Sequence, residues 1–80
     1  MKFEQVRNGR WESDTKVYSA ALLTGSEREL KGMEDAKYVI VAGDYKGNTA
    51  YRLYEQHLGH KEFIKRFKSV EAAIKFAQEA

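Results

Sequence analysis

The chain lacks cysteine and proline altogether, and none of its 80 residues belongs to an apolar run long enough to cross a bilayer. Without cysteine no disulfide can brace a core this small, and the composition fits a reducing compartment. Without proline, and with no Ser/Gly-rich linker, repeat or low-complexity tract, nothing divides the chain, so a single compact domain over residues 1–80 is expected. The opening Met1-Lys2-Phe3-Glu4 has no secretion-signal run. The expected location is cytoplasmic, with no membrane partner. Charge of one sign is scarce as well: the formal net charge is +2. It is unevenly spread, with six Lys/Arg against seven Asp/Glu up to residue 36 and eight against five after it.

Catalytic motifs are missing too. Gly43-Asp44-Tyr45-Lys46-Gly47-Asn48 holds two glycines but lacks the strand-loop-helix setting and the Gly-Lys-Ser/Thr ending of a phosphate loop. Ser13-Asp14 and Thr24-Gly25-Ser26 offer no nucleophile with a visible base. His57 and His60 flank a turn and would share a face with Glu55 and Glu62, but the fixed His/Cys spacing of a zinc site is absent. The expectation is therefore a binding module rather than an enzyme, with no cofactor and no metal.

What is present is a run from Lys37 to Phe67 that reads as a three-stranded antiparallel meander. Asp44-Tyr45-Lys46-Gly47 has the residues of a three-residue hairpin loop, a type I turn followed by a left-handed glycine. This turn sets Ile40 opposite Arg52 and Tyr38 opposite Tyr54. Closing His57-Leu58-Gly59-His60 as a two-residue loop sets Tyr54 opposite Phe63, Leu53 opposite Ile64 and Arg52 opposite Lys65. Because side chains alternate along a strand, one face then carries Val39, Val41, Tyr51, Leu53 and Ile64. The other carries Tyr38, Ile40, Arg52, Tyr54, Lys61, Phe63, Lys65 and Phe67.

Ser69 followed by Val70–Glu79 predicts a C-terminal helix, with Ser69 as N-cap and Glu71 in the first turn. Its apolar stripe of Val70, Ala73, Ile74 and Ala77 suits the Val39/Val41/Leu53/Ile64 face. Earlier in the chain, Phe3–Val6 reads as a strand and Asn8-Gly9 as a hairpin turn into Arg10-Trp11-Glu12. Thr15 to Leu23 reads as a further strand, Ser26-Glu27-Arg28-Glu29 as a capping box opening a short helix, and residues 27–35 as a solvated helix and loop. The fold class is thus α+β: an antiparallel sheet, comprising the meander over about 37–67 and an N-terminal strand or hairpin, with a helix over about 70–79 packed on one face.

Rings interleaved with cations on the second face, namely Tyr38, Arg52, Tyr54, Lys61, Phe63, Lys65 and Phe67, are the chemistry of single-stranded nucleic-acid binders. A sheet so decorated also suits the major groove of duplex DNA. The competing arrangement packs the N-terminal strands around Trp11 and Val17–Leu23 onto this face and turns its rings into a second core layer. A three-stranded sheet leading through Phe67-Lys68-Ser69-Val70-Glu71-Ala72-Ala73 into a helix resembles the arm-site DNA-binding domain of tyrosine integrases from mobile elements. That resemblance spans residues 37–80, leaves the first 36 without a counterpart, and implies DNA binding by the sheet.

Two functions follow as expectations. One is a DNA- or RNA-binding accessory or regulatory protein of a phage or mobile element. The other is a protein-binding module, such as a phage-type inhibitor of a host or defence enzyme, because exposed rings and arginine also make protein hot spots. An uncovered face or edge would also pair two copies, so both a monomer and a homodimer are compatible.

Overall fold

The computed structural model describes residues 1–18, 34–57 and 60–79. Among them lie strands β1 (Phe3–Arg7), β2 (Arg10–Ser13), β3 (Lys16–Tyr18), β4 (Glu34–Ala36), β5 (Tyr38–Tyr45), β6 (Asn48–His57) and β7 (His60–Phe67), and helix α1 (Val70–Glu79). Five strands form one antiparallel sheet in the order β1-β2-β5-β6-β7, and β3 pairs with β4 in a separate ribbon. The α+β class, the meander, the N-terminal hairpin and the C-terminal helix packed on the sheet all agree with the sequence reading. Of the strand read over Thr15–Leu23, Lys16–Tyr18 is described and the rest lies outside the described residues, as does the capping box at Ser26–Glu29. Glu34 and Asp35, read as solvated helix or loop, instead belong to β4, where they pair with Tyr18 and Val17.

The β5–β6 turn differs from expectation in a way that matters. Lys46 and Gly47 both have left-handed backbone, with φ of 52° and 82°, and Tyr45 pairs directly with Asn48. Two central residues of positive φ make the tight type I′ hairpin, whose twist matches that of the strands it joins. The loop therefore has two residues rather than three, and the pairing shifts by one. Ile40 faces Leu53, Ala42 faces Tyr51 and Tyr38 faces Glu55, instead of Ile40 facing Arg52 and Tyr38 facing Tyr54. A one-residue slip moves every side chain of a strand to the other face. Tyr38 and Ile40 thus join Leu53 beneath the helix, and Val39 and Val41 move to the opposite side.

The core follows from that register. Ile40 and Leu53 are fully buried, with Tyr38, Ala73 and Ala77, and Phe3, Trp11, Tyr51, Ile64, Phe67, Val70 and Ile74 pack around them. Ala73 and Ala77 have no side chain beyond Cβ, which lets α1 lie close on the sheet. Complete burial of an Ile or Leu side chain contributes about 1.5–3 kcal/mol. The helix starts as expected: the Ala72 N–H donates to Ser69 Oγ at 3.2 Å, and Glu71 lies in the first turn.

A buried hydroxyl joins the N-terminal hairpin to the meander. Ser13 Oγ donates to the Thr15 carbonyl and accepts the Tyr38 N–H, both at 3.0 Å, with Ser13 only 1% exposed. Next to it, the Asp14 carboxylate accepts the Lys2 N–H at 3.0 Å, a bond that holds its carboxyl below the ordinary value and outweighs desolvation.

Two outcomes are expected. Lys46→Asn should stabilise the domain by about 0.5–1 kcal/mol, because Asn tolerates left-handed backbone better than Lys. The denaturation midpoint reads this, and an unchanged midpoint would contradict a left-handed residue 46. Ser13→Ala should destabilise by about 1–3 kcal/mol, since it strands the buried Tyr38 N–H. Urea unfolding measures the loss, and hydrogen exchange should show it concentrated at Tyr38.

Candidate functional site

On the face turned away from α1, rings and cations alternate because of two features of the β6–β7 ladder. Near the hairpin tip, Tyr54 pairs with Phe63 and Gln56 with Lys61. A bulge then intervenes, so that Leu53 pairs with Lys65, Arg52 with Arg66 and Tyr51 with Phe67. Ile64 is the extra residue of the bulge. It sits with Lys65 on the helix side and packs against the core cluster. The bulge therefore places Phe63 and Arg66, three positions apart, on the same face.

The resulting strip runs along that face from the β5–β6 turn to the far hairpin. The Arg66 guanidinium lies 3.9 Å from the Tyr45 ring centroid and 5.7 Å from that of Phe63. The rings of Phe63 and Tyr54 meet edge-on at 5.7 Å. Lys61 Nζ stands 4.4 Å and the Arg52 guanidinium 5.9 Å from the Tyr54 ring, and Lys46 stands 5.4 Å from Tyr45. Cation–π geometry of this kind orders long side chains while leaving their donors accessible. Phe63 is 47% exposed and Tyr45 44%. These are large rings left in water. At the other end of the face the surface is closed: Val39 is fully buried, and Arg10 Nε pairs with Glu12 at 2.7 Å. This is the only ion pair among the described residues.

Of the seven residues singled out from sequence, the structure brings four together on this strip: Arg52, Tyr54, Lys61 and Phe63. Tyr38 is elsewhere, in the core at 6% exposure, because of the shifted β5 register. The bulge turns Lys65 and Phe67 to the helix side. Phe67 packs against the core cluster with its ring 5.4 Å from Phe76 of α1, and Lys65 Nζ lies within 5.6 and 5.8 Å of those two rings. The predicted facing of Leu53 with Ile64 and of Arg52 with Lys65 is corrected accordingly. Three members of the strip were missed, Tyr45, Lys46 and Arg66. Tyr45 would have been found by reading Lys46-Gly47 as a two-residue turn; Arg66 depends on a bulge that has no local sequence signal.

β1 and β2 do not form a layer over the strip, and residues 19–23 of the segment expected to cover it lie outside the described residues. β1 and β2 continue the sheet beside β5, and Trp11 joins the helix-side cluster with its ring 5.7 Å from Tyr51. Around the far hairpin, Glu55 pairs with Glu62 and His57 with His60, yet no group of three or more His, Cys, Asp or Glu among the described residues is arranged to hold a metal. No described helix is long and apolar enough to cross a membrane.

Comparison with protein-family models, curated proteins and solved structures finds no match. The likeness to integrase arm-site domains therefore rests on the order of elements alone, and here β1 and β2 widen the sheet beyond three strands.

Proposed function

We propose that this chain is a non-enzymatic binding module that engages nucleic acid, in single-stranded form, through the Tyr45–Arg66–Phe63–Tyr54–Lys61 strip. The observation that carries the reading is the alternation of exposed rings and cations on one face, with no carboxylate paired to those cations among the described residues. Ring faces offer stacking platforms for bases of any sequence, and flanking cations meet the phosphates. The same features favour an unstacked strand over a duplex, whose bases present edges rather than faces. An accessory or regulatory role in the cytoplasm, for a phage or mobile element, is the setting we propose for such a module.

The test is a fluorescence-anisotropy titration of labelled single-stranded and duplex oligonucleotides at low and near-physiological salt. Binding should favour the single strand and weaken steeply with salt. Phe63→Ala should weaken it about tenfold, within the usual range for loss of one stacked base. Lys65→Ala, on the helix side, should change it less than twofold. Absence of binding at low salt would move the assignment to a protein partner, for which exposed Phe63, Tyr45 and Arg66 are suitable anchors.

A further inference from the structure

Arg52 lies directly opposite Arg66 in the β6–β7 ladder; like-charge pairs recur in this sheet, at Glu4–Glu12, Arg7–Arg10 and Glu55–Glu62, and what sets the arginine pair on the strip apart is its surroundings. Residues directly opposite in an antiparallel ladder hold their Cβ atoms about 5 Å apart, and like charges so placed repel. A fold keeps such a pair at little cost when both heads reach water or when an anion sits between them. Several observations favour the anion. Each guanidinium is steadied by ring faces, Arg66 by Tyr45 and Phe63 and Arg52 by Tyr54. A guanidinium held near ring faces keeps its fork of N–H donors for other partners, and that fork suits phosphate oxygens.

The surface between them is also shaped for a small ligand. Gly43 pairs with Ala50 beside Arg52, so this part of the face has no large side chain. A Cβ at Gly43 would stand 3.5 Å from the Arg52 terminal nitrogen, which shows the head lying across the bare glycine. A small cavity is lined there by Gly43, Asp44, Ala50, Arg52 and Arg66. Asp44 contributes from a strand position that alternates with Gly43, and it forms no ion pair with either arginine.

We infer that Arg52 and Arg66 together form a seat for a single phosphate group, the point at which a strand's backbone is held while a neighbouring base meets Phe63. This inference rests on the nucleic-acid reading of the same face. A shared seat differs from two independent phosphate contacts in a measurable way, because removing either arginine destroys it.

Two measurements on the full chain test this. In the first, the arginine Nε–Hε resonances are followed by NMR during titration with inorganic phosphate at constant ionic strength. Arg52 and Arg66 should shift together and saturate while Arg7 and Arg10 do not; uniform, non-saturating drift of all arginines overturns the seat. In the second, a labelled oligothymidylate is titrated against Arg52→Gln, Arg66→Gln and the double variant, each checked for folding by thermal melting. Each single variant should lose about tenfold in affinity, the double variant no more than that, and the salt slope should fall by about 0.7 in all three, the contribution of one phosphate on a single strand. Additive losses with twice the change in slope overturn the shared seat and leave the nucleic-acid reading standing. Failure of the unsubstituted protein to bind the oligothymidylate overturns that reading instead, and the phosphate titration then decides the seat by itself.

Discussion

The length of one turn governs this structure. Lys46 and Gly47 close the β5–β6 hairpin with two left-handed residues, so Ile40 lies opposite Leu53 and both point at α1. One more residue in that loop would expose Ile40 and Tyr38 and place valines beneath the helix. Because alternation in a strand has a period of two, there is no intermediate outcome. The helix, with its two buried alanines, then settles on whichever face the turn has made apolar. A non-glycine residue in left-handed conformation is a local cost of about 1–2 kcal/mol, offset by the burial of Ile40, Leu53 and Tyr38 that the register permits.

A second irregularity does for β7 what the turn does for β5. With Ile64 as an extra residue, the strand past the bulge reverses its facing relative to a regular ladder. Phe67 turns to the helix side, packed against the core cluster and beside the exposed Phe76, and Arg66 emerges onto the open face between Tyr45 and Phe63. The turn and the bulge together sort the chain's rings into two populations. Trp11, Tyr38, Tyr51 and Phe67 support the fold, whereas Tyr45, Tyr54 and Phe63 remain with cations at the surface. The strip thus owes its composition to backbone geometry at two points.

The sheet edges fit this division of labour. β7 is an eight-residue strand at the sheet margin, and a regular edge of that length invites pairing with another chain. It is interrupted by the bulge and carries Lys61, Lys65 and Arg66, the features by which edge strands discourage such pairing. On the proposed reading, recognition falls to the face, where side-chain chemistry rather than backbone hydrogen bonding along β7 would select the partner.

Much was legible in the amino-acid sequence. The three strands of the meander, the Asn8-Gly9 hairpin, the Ser69 cap, the helix stripe and the presence of an aromatic-basic surface follow from local patterns, because turns, caps and helical periodicity involve residues close together in the chain. Arg52, Tyr54, Lys61 and Phe63 belong to the candidate strip on that basis. Which face Tyr38, Lys65, Arg66 and Phe67 occupy is not a local property. Tyr38-Val39-Ile40-Val41 is apolar at every position, so its pattern accepts either register, and the choice falls to the turn conformation and to packing under α1. Likewise, nothing near Ile64 announces a bulge, which arises only when β7 must satisfy β6 and the helix together. Sequence alone determined the meander, the N-terminal hairpin, the C-terminal helix and the residue types on offer; the tertiary structure decided the β3–β4 pairing and which side chains meet water, because in a sheet that depends on the parity of pairing between strands.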